Sequence, residues 1–380
     1  MSTPRRSTVP VLLAALAALL AALTACGPAP HREAAAAAPA FPLRAGDRIQ
    51  TLAMAAPYRP RAPHGGTDDY RCFLLDPHLT APAFLTGIAF APGNRDVVHH
   101  AILYDVPAAQ VAAAERVDAQ TPGDGWTCFG GTGLSGGLGN RGWLAAWAPG
   151  GTPTTYPDDV GVPVGAGGRV VLQVHYNVLR GDPPDRTAVQ VRLTPVRPGI
   201  APLATALFPA PVELPCTAAE HGPLCRRAAA VADVASRFGA DAGRTEGELL
   251  RFCSPGGARP GPTQHCDQPI RQAMTVRAAA GHMHLLGRSV RITLDPGTPR
   301  ERVLLDVPSY DFDRQGATWL AQPVTLRPGD TVRVTCTHDA ALRRELPALS
   351  SLPPRYVVWG DGTADEMCLG ILTVTPASRR

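Results

Sequence analysis

The chain has 380 residues and no lysine, and its 36 basic and 32 acidic side chains leave a formal net charge of +4. The missing lysine excludes Schiff-base chemistry, and near-balanced charge with no basic block interleaved with aromatics argues against a nucleic-acid partner. That length accommodates two domains with separate cores, and 38 Gly and 40 Pro residues cut it into short strands and turns, which predicts an all-β body.

Arg5 and Arg6 precede an apolar run at residues 9–23, short for a membrane span of about 20 residues and suited to the h-region of a secretory signal. The run ends in Leu23-Thr24-Ala25-Cys26, which resembles a bacterial lipobox. Residues 1–25 therefore read as a lipoprotein signal peptide and Cys26 as the lipidated mature N-terminus, anchoring an exported chain to the outer face of the bacterial cell membrane. An ordinary signal peptide with a chance cysteine is the alternative. Residues 26–65, rich in Ala, Pro and Arg without a period, read as a flexible tether. The other eight cysteines are Cys72, Cys128, Cys216, Cys225, Cys253, Cys266, Cys336 and Cys368. An even number in an exported chain predicts disulfides, and no tight Cys-x2-Cys pair points to structural zinc.

The N-terminal domain, residues 66–197, shows strand patterns at residues 70–75, 84–90, 97–104, 143–147, 169–176 and 189–195. A short helical segment at 108–117 and a Gly-rich loop up to residue 139 separate them. His99 and His100 sit inside one apolar strand, where buried imidazoles need hydrogen bonds or a metal. Neighbours on a strand face opposite ways, so both reach one ion only if the strand twists, bulges or ends there. His175, alone in another apolar strand, reads by itself as a core histidine bonded to a carbonyl. The turn Arg197-Pro198-Gly199 marks the domain boundary.

The C-terminal domain, residues 198–380, opens with a strand at 203–212 and carries a Cys-rich insertion at about residues 213–267. The insertion reads as irregular apart from one helix at 226–238, fixed by two disulfides, with His221 and His265 as exposed loop histidines. Strand patterns resume at 274–280, 289–294, 302–307, 324–326, 332–335, 357–359 and 368–374, completing a mostly antiparallel β unit. In Gly281-His282-Met283-His284 two imidazoles two residues apart share one face of an extended strand and can reach one metal, with Met283 on the other face. Three histidines with an open position suit zinc or copper, whereas a thioether such as Met367 favours copper; by composition alone Met367 is core filler.

Four stretches together resemble the copper type II ascorbate-dependent monooxygenases, the family of peptidylglycine α-hydroxylating monooxygenase and dopamine β-monooxygenase. They are Val98-His99-His100-Ala101-Ile102-Leu103-Tyr104, Leu172-Gln173-Val174-His175-Tyr176, Gly281-His282-Met283-His284-Leu285-Leu286-Gly287 and Gly362-Thr363-Ala364-Asp365-Glu366-Met367-Cys368. They occur in family order, and the resemblance spans residues 69–374. It implies two antiparallel β-sandwich domains of the jelly-roll kind, one copper in each, facing a solvent-filled cleft. His99, His100 and His175 would hold the electron-transfer copper. His282, His284 and Met367 would hold the copper where dioxygen binds, and Gln173 would stand behind His175. The resemblance also pairs Cys72 with Cys128 and Cys336 with Cys368, and leaves Cys266 to pair with Cys216, Cys225 or Cys253.

By that resemblance the chain hydroxylates a C–H bond of a small organic substrate, using dioxygen and an external reductant such as ascorbate. The pattern departs where peptidylglycine enzymes grip a peptide carboxylate. The Arg two residues before the His-x-His, and the Asn and Tyr two and four residues after the Met, are here Ala280, Leu369 and Ile371, none able to bind a carboxylate. Peptide amidation is therefore disfavoured. A copper-binding or copper-storage lipoprotein on the same scaffold is the leading rival reading; a zinc hydrolase is opposed by Met367.

Overall fold

Runs of Val, Leu, Ile and aromatic residues between Gly- and Pro-rich breaks form 21 strands among the described residues. The computed structural model describes residues 41–63, 66–134 and 142–377; the stretch read as a signal peptide and Cys26 lie outside them. Among the described residues no helix is long and apolar enough to cross a membrane.

The first half contains β1 (Arg48–Ala53), β2 (Asp68–Leu75), β3 (Ala83–Ala91), β4 (Val98–Val106), α1 (Ala108–Asp118), β5 (Trp126–Thr127), β6 (Trp143–Trp147), β7 (Thr154–Thr155), β8 (Val160–Val164), β9 (Arg169–Asn177), β10 (Ala188–Pro195) and β11 (Ala201–Pro202). One sheet has the order β1-β10-β3-β8-β11 with β7 against β3, and the other β5-β2-β9-β4-β6. Inward residues of both, among them Leu85, Val162 and Val191 facing Leu103, Leu172 and Val174, make one apolar core.

The second half contains β12 (Ala204–Ala210), β13 (Glu213–Leu214), α2 (Arg227–Phe238), α3 (Ala240–Cys253), β14 (Thr263–Pro269), β15 (Met274–His282), β16 (Gly287–Leu294), β17 (Arg302–Val307), β18 (Thr318–Leu326), β19 (Thr331–His338), two single-turn helices, β20 (Val357–Val358) and β21 (Cys368–Pro376). Sheets β12-β21-β15-β18 and β14-β19-β16-β17 enclose a second core around Val276, Leu372, Ile292 and Val334, with β13 and β20 as a small ribbon. The molecule is thus mostly β, in two antiparallel sandwiches.

Three boundaries differ from the sequence reading. Part of the stretch read as tether is structured: β1 pairs along its length with β10, and Phe41, Met54 and Tyr58 are buried. These anchors are too sparse among Ala and Pro to leave a period. β11 pairs with β8 and Leu203 sits in the first core, so the chain passes between halves at residues 203–204 rather than at Pro198. The insertion holds two helices instead of one, and His265 lies exposed on β14 rather than in a loop. Gly243 of α3 is where the two helices touch, since a Cβ there would meet the Ala235 Cβ at 2.6 Å.

Cys72–Cys128 and Cys336–Cys368 are bonded as the resemblance implies, and the insertion closes through Cys216–Cys225 and Cys253–Cys266. Its base is a buried polar cluster. Glu213 accepts from Arg227 at 2.6 Å and from the Tyr356 hydroxyl at 2.6 Å, while Glu246 accepts from the Trp359 amide at 3.2 Å. Burial, and then the adjacent Glu213 carboxylate, push Glu246 up to about 9 from its ordinary 4.5. The folded chain therefore keeps a proton that the unfolded chain releases above the ordinary value, and stability falls as pH rises across that window. Glu246→Gln should match the unmodified protein near pH 4 and gain on it between about pH 5 and 9, reaching at least ~1 kcal/mol by neutrality. Denaturant unfolding across pH checks this; parallel profiles would contradict it.

Candidate metal centre

His99 and His100 would face opposite sides of a regular strand, but the β4–β9 register shifts between Val98 and His100. The bulge re-aims one residue, and His175 lies directly opposite His100 on β9. One ligand atom from each of the three histidines falls within 4.8 Å of the others. His175 Nε2–H donates to Asp68 Oδ1 at 2.9 Å, which turns the bare Nδ1 toward His99 Nδ1, 2.8 Å away. The His99 Nε2 is buried without a partner. Tyr70, the β2 neighbour of His175, stacks on its ring at 3.9 Å.

β15 ends at His282, and His284 lies just beyond it, with the two rings 5.2 Å apart. Met283 between them is fully buried in the second core, on the far side as the alternation predicts. His284 Nδ1–H donates to the Asp365 carbonyl at 3.1 Å, leaving a buried, unpartnered Nε2. His282 Nδ1–H donates to Gln315 Oε1 at 2.7 Å, and the Gln315 amide is oriented by donating to the Phe312 carbonyl at 2.8 Å. Glu366 closes this set across the sequence: its carboxylate accepts from the amides of His284 at 2.8 Å, Leu286 at 2.6 Å and Met367 at 3.2 Å. Met367 and His282 border one cavity.

The cleft implied by resemblance is closed at the level of the histidines. His99 and His284 ring centroids are 6.0 Å apart, as are those of His100 and His282, and Phe312 from the second half stacks on His99 at 4.7 Å. Asp68 fastens the halves: its Oδ1 also accepts from the Thr363 hydroxyl at 2.6 Å and amide at 3.1 Å, and Asn177 donates to the Thr363 hydroxyl at 2.6 Å. Beside the histidines is a cavity of about 720 Å³ that reaches His100, His282 and Met367.

Burial, then neighbouring imidazoles, holds His99 and His100 well below the usual histidine range. Burial also lowers His175 against the pull of Asp68, and with His284 lowers His282 to about 4. All four are neutral at neutral pH, the form that binds metals. Burial by itself would raise Asp68, but hydrogen bonds from His175, Thr363 and Thr67 hold it at about 2. The Gln173 amide donates to the carbonyls of Cys128 at 2.9 Å and Gly131 at 2.6 Å and so fixes that turn.

Two antiparallel sandwiches that share a histidine-rich centre at their junction define the class. A profile of the copper type II ascorbate-dependent monooxygenase N-terminal domain matches residues 67–182, and one of the C-terminal domain matches residues 261–374. The chain belongs to this family, which depends on copper and ascorbate. It is similar to the mouse DBH-like monooxygenase protein 2, with 26% identity over 236 residues, 60% of this chain and 31% of that protein. The chain thus spans about a third of the length of this relative. Among solved structures it is similar to a peptide-N(4)-(N-acetyl-β-D-glucosaminyl)asparagine amidase (TM-score 0.32, 6% identity, 88% of this chain and 97% of that one). A recombinant N-glycanase F gives a TM-score of 0.33 at 6% identity, covering 87% of this chain and 96% of that one. Likenesses this distant support no functional statement.

Asp68, Gln315 and Phe312 carry no sequence signal, because their partners are distant in the chain. Asp68→Asn cannot accept all of these hydrogen bonds and should weaken copper binding at the three-histidine set by about 10- to 100-fold, read by chelator competition. Unchanged affinity would show that Asp68 does not orient His175.

Proposed function

We propose that this chain is a copper-dependent monooxygenase that hydroxylates a C–H bond of a small organic molecule, with His99, His100 and His175 holding one copper and His282, His284 and Met367 the other. The observation that carries the reading is the meeting of two imidazole sets, with buried unpartnered nitrogens on His99 and His284, at the edge of a cavity large enough for an organic substrate. The donor chemistry fits copper: imidazoles suit it in both oxidation states, and the thioether of Met367 favours the reduced one. Bound copper would supply the one-electron and dioxygen chemistry, one oxygen atom entering the product and the other leaving as water. The two electrons per turnover come from an external donor such as ascorbate.

The chain's own residues hold and shield these groups. Asp68, Gln315 and the Asp365 carbonyl each fix an imidazole tautomer, Glu366 ties Met367 to the His284 segment, and Phe312 excludes water from His99. Ala280, Leu369 and Ile371 line the cavity and, among the described residues, no arginine does, which supports a substrate without a carboxylate. Copper storage would not need an organic-sized cavity beside the ligands. We also propose export, which four disulfides support, and a lipid anchor at Cys26, for which the lipobox-like Leu23-Thr24-Ala25-Cys26 speaks.

The test is copper stoichiometry followed by oxygen uptake with ascorbate across a substrate panel. Two coppers per chain and substrate-dependent uptake are expected, and two coppers without uptake on any substrate would favour storage. Met367→Ile should retain the three-histidine copper and lower uptake by more than about 100-fold; loss of both coppers would contradict two independent sets.

A further inference from the structure

The two helices of the insertion lie in the gap between the family-matched regions, residues 67–182 and 261–374, yet they reach the centre. Phe238, at the end of α2, meets Phe129 at 5.1 Å and Tyr70 at 6.4 Å, and Tyr70 is the ring stacked on His175. Arg237 beside it donates to both Asp365 oxygens, at 2.9 and 2.6 Å, and the carbonyl of Asp365 is the acceptor that orients His284. Asp233, one turn earlier on α2, accepts from Arg355 at 2.9 Å. The corner between α2 and α3 is therefore clamped to the loop that carries Met367, and Phe238, Ala242 and Thr245 line the same cavity as His100, His282 and Met367.

We propose that the insertion is the specificity element of this centre: Phe238, Ala242 and Thr245 close one side of the cavity and set the size of the apolar, non-anionic molecule that it admits. This rests on reading the cavity as the substrate site. The chemical class follows from the other walls. Trp143, Trp147, Trp319 and Trp359 line the cavity with Leu369 and Ile371, and among the described residues its charged lining other than histidine is the carboxylates Asp241 and Asp361. Such a surface favours apolar bodies and repels anions. Ala242 is the smallest side chain on the insertion's side and only half-buried: it packs on one flank against the Phe238 cluster and lines the cavity on the other, where added bulk finds room.

The test uses the full chain and the uncharged fluorophore N-phenyl-1-naphthylamine. Four of the five tryptophans line the cavity, so energy transfer from tryptophan reports the probe inside it. Ala242→Leu should weaken probe binding about 3-fold and Ala242→Trp at least about 10-fold, a graded loss following side-chain volume. Ala232→Trp, on the exposed face of α2, should leave binding unchanged. If Ala242→Trp fails to fold, Thr245→Phe probes the same wall. Probe affinity that ignores residues 242 and 245, in variants that melt like the unmodified protein, overturns the proposal; so does absence of binding by the unmodified chain. The measurement needs no copper, so oxygen uptake can fail while probe binding keeps its dependence on residue 242, which separates failure of the reaction assignment from failure of this one.

Discussion

One buried carboxylate ties the two halves together. Asp68 is 3% exposed, and its oxygens accept from His175, Thr363 and Thr67. A carboxylate taken out of water is tolerable only when donors of this kind surround it, and removing one leaves a costly orphan. Because the donors come from both sandwiches, the same bonds that stabilise the charge hold the Thr363 loop of the second half against the histidine sheet of the first. Asn177 on Thr363, and the Tyr70 hydroxyl on the Asp361 carbonyl at 2.7 Å, fasten the same loop. The 6.0 Å approach of the two histidine sets follows from this attachment.

Within each half the geometry of the histidines comes from departures from regular strand. Adjacent His99 and His100 converge on His175 only because β4 bulges between Val98 and His100. His282 and His284 are close because β15 stops at His282 and the next residues turn under the Glu366 carboxylate. Glu366 is fully buried; burial would raise it, but His338 and the His284 amide supply enough positive potential to keep it ionised. That charge brings Met367 to a segment 80 residues earlier.

The family-matched regions supply the imidazoles and the thioether, whereas the insertion supplies the helices that brace the loop beside them. Its closure by Cys216–Cys225 and Cys253–Cys266 and the Arg237–Asp365 bidentate pair make it a rigid attachment rather than a loose excursion. With apolar Ala280, Leu369 and Ile371 on the sheet side and Phe238 on the helix side, no arginine among the described residues lines the cavity to grip an anion.

The sequence by itself determined what depends on local spacing: the all-β class, the candidate histidines and methionine, the even set of cysteines and the absence of a carboxylate-binding arginine at Ala280. It could state that His99 and His100 required a bulge, since alternation is a local rule. It did not reveal β1, whose few anchors leave no period, or α3, whose glycines mimic a break. Nor did it reveal Asp68, Gln315, Phe312 or the closed junction. Asp68 finds His175 at a separation of 107 residues and Thr363 at 295, and no periodicity links positions so far apart. Those partners are chosen by which segments pack together once buried charge must be neutralised, so only the tertiary structure decides them.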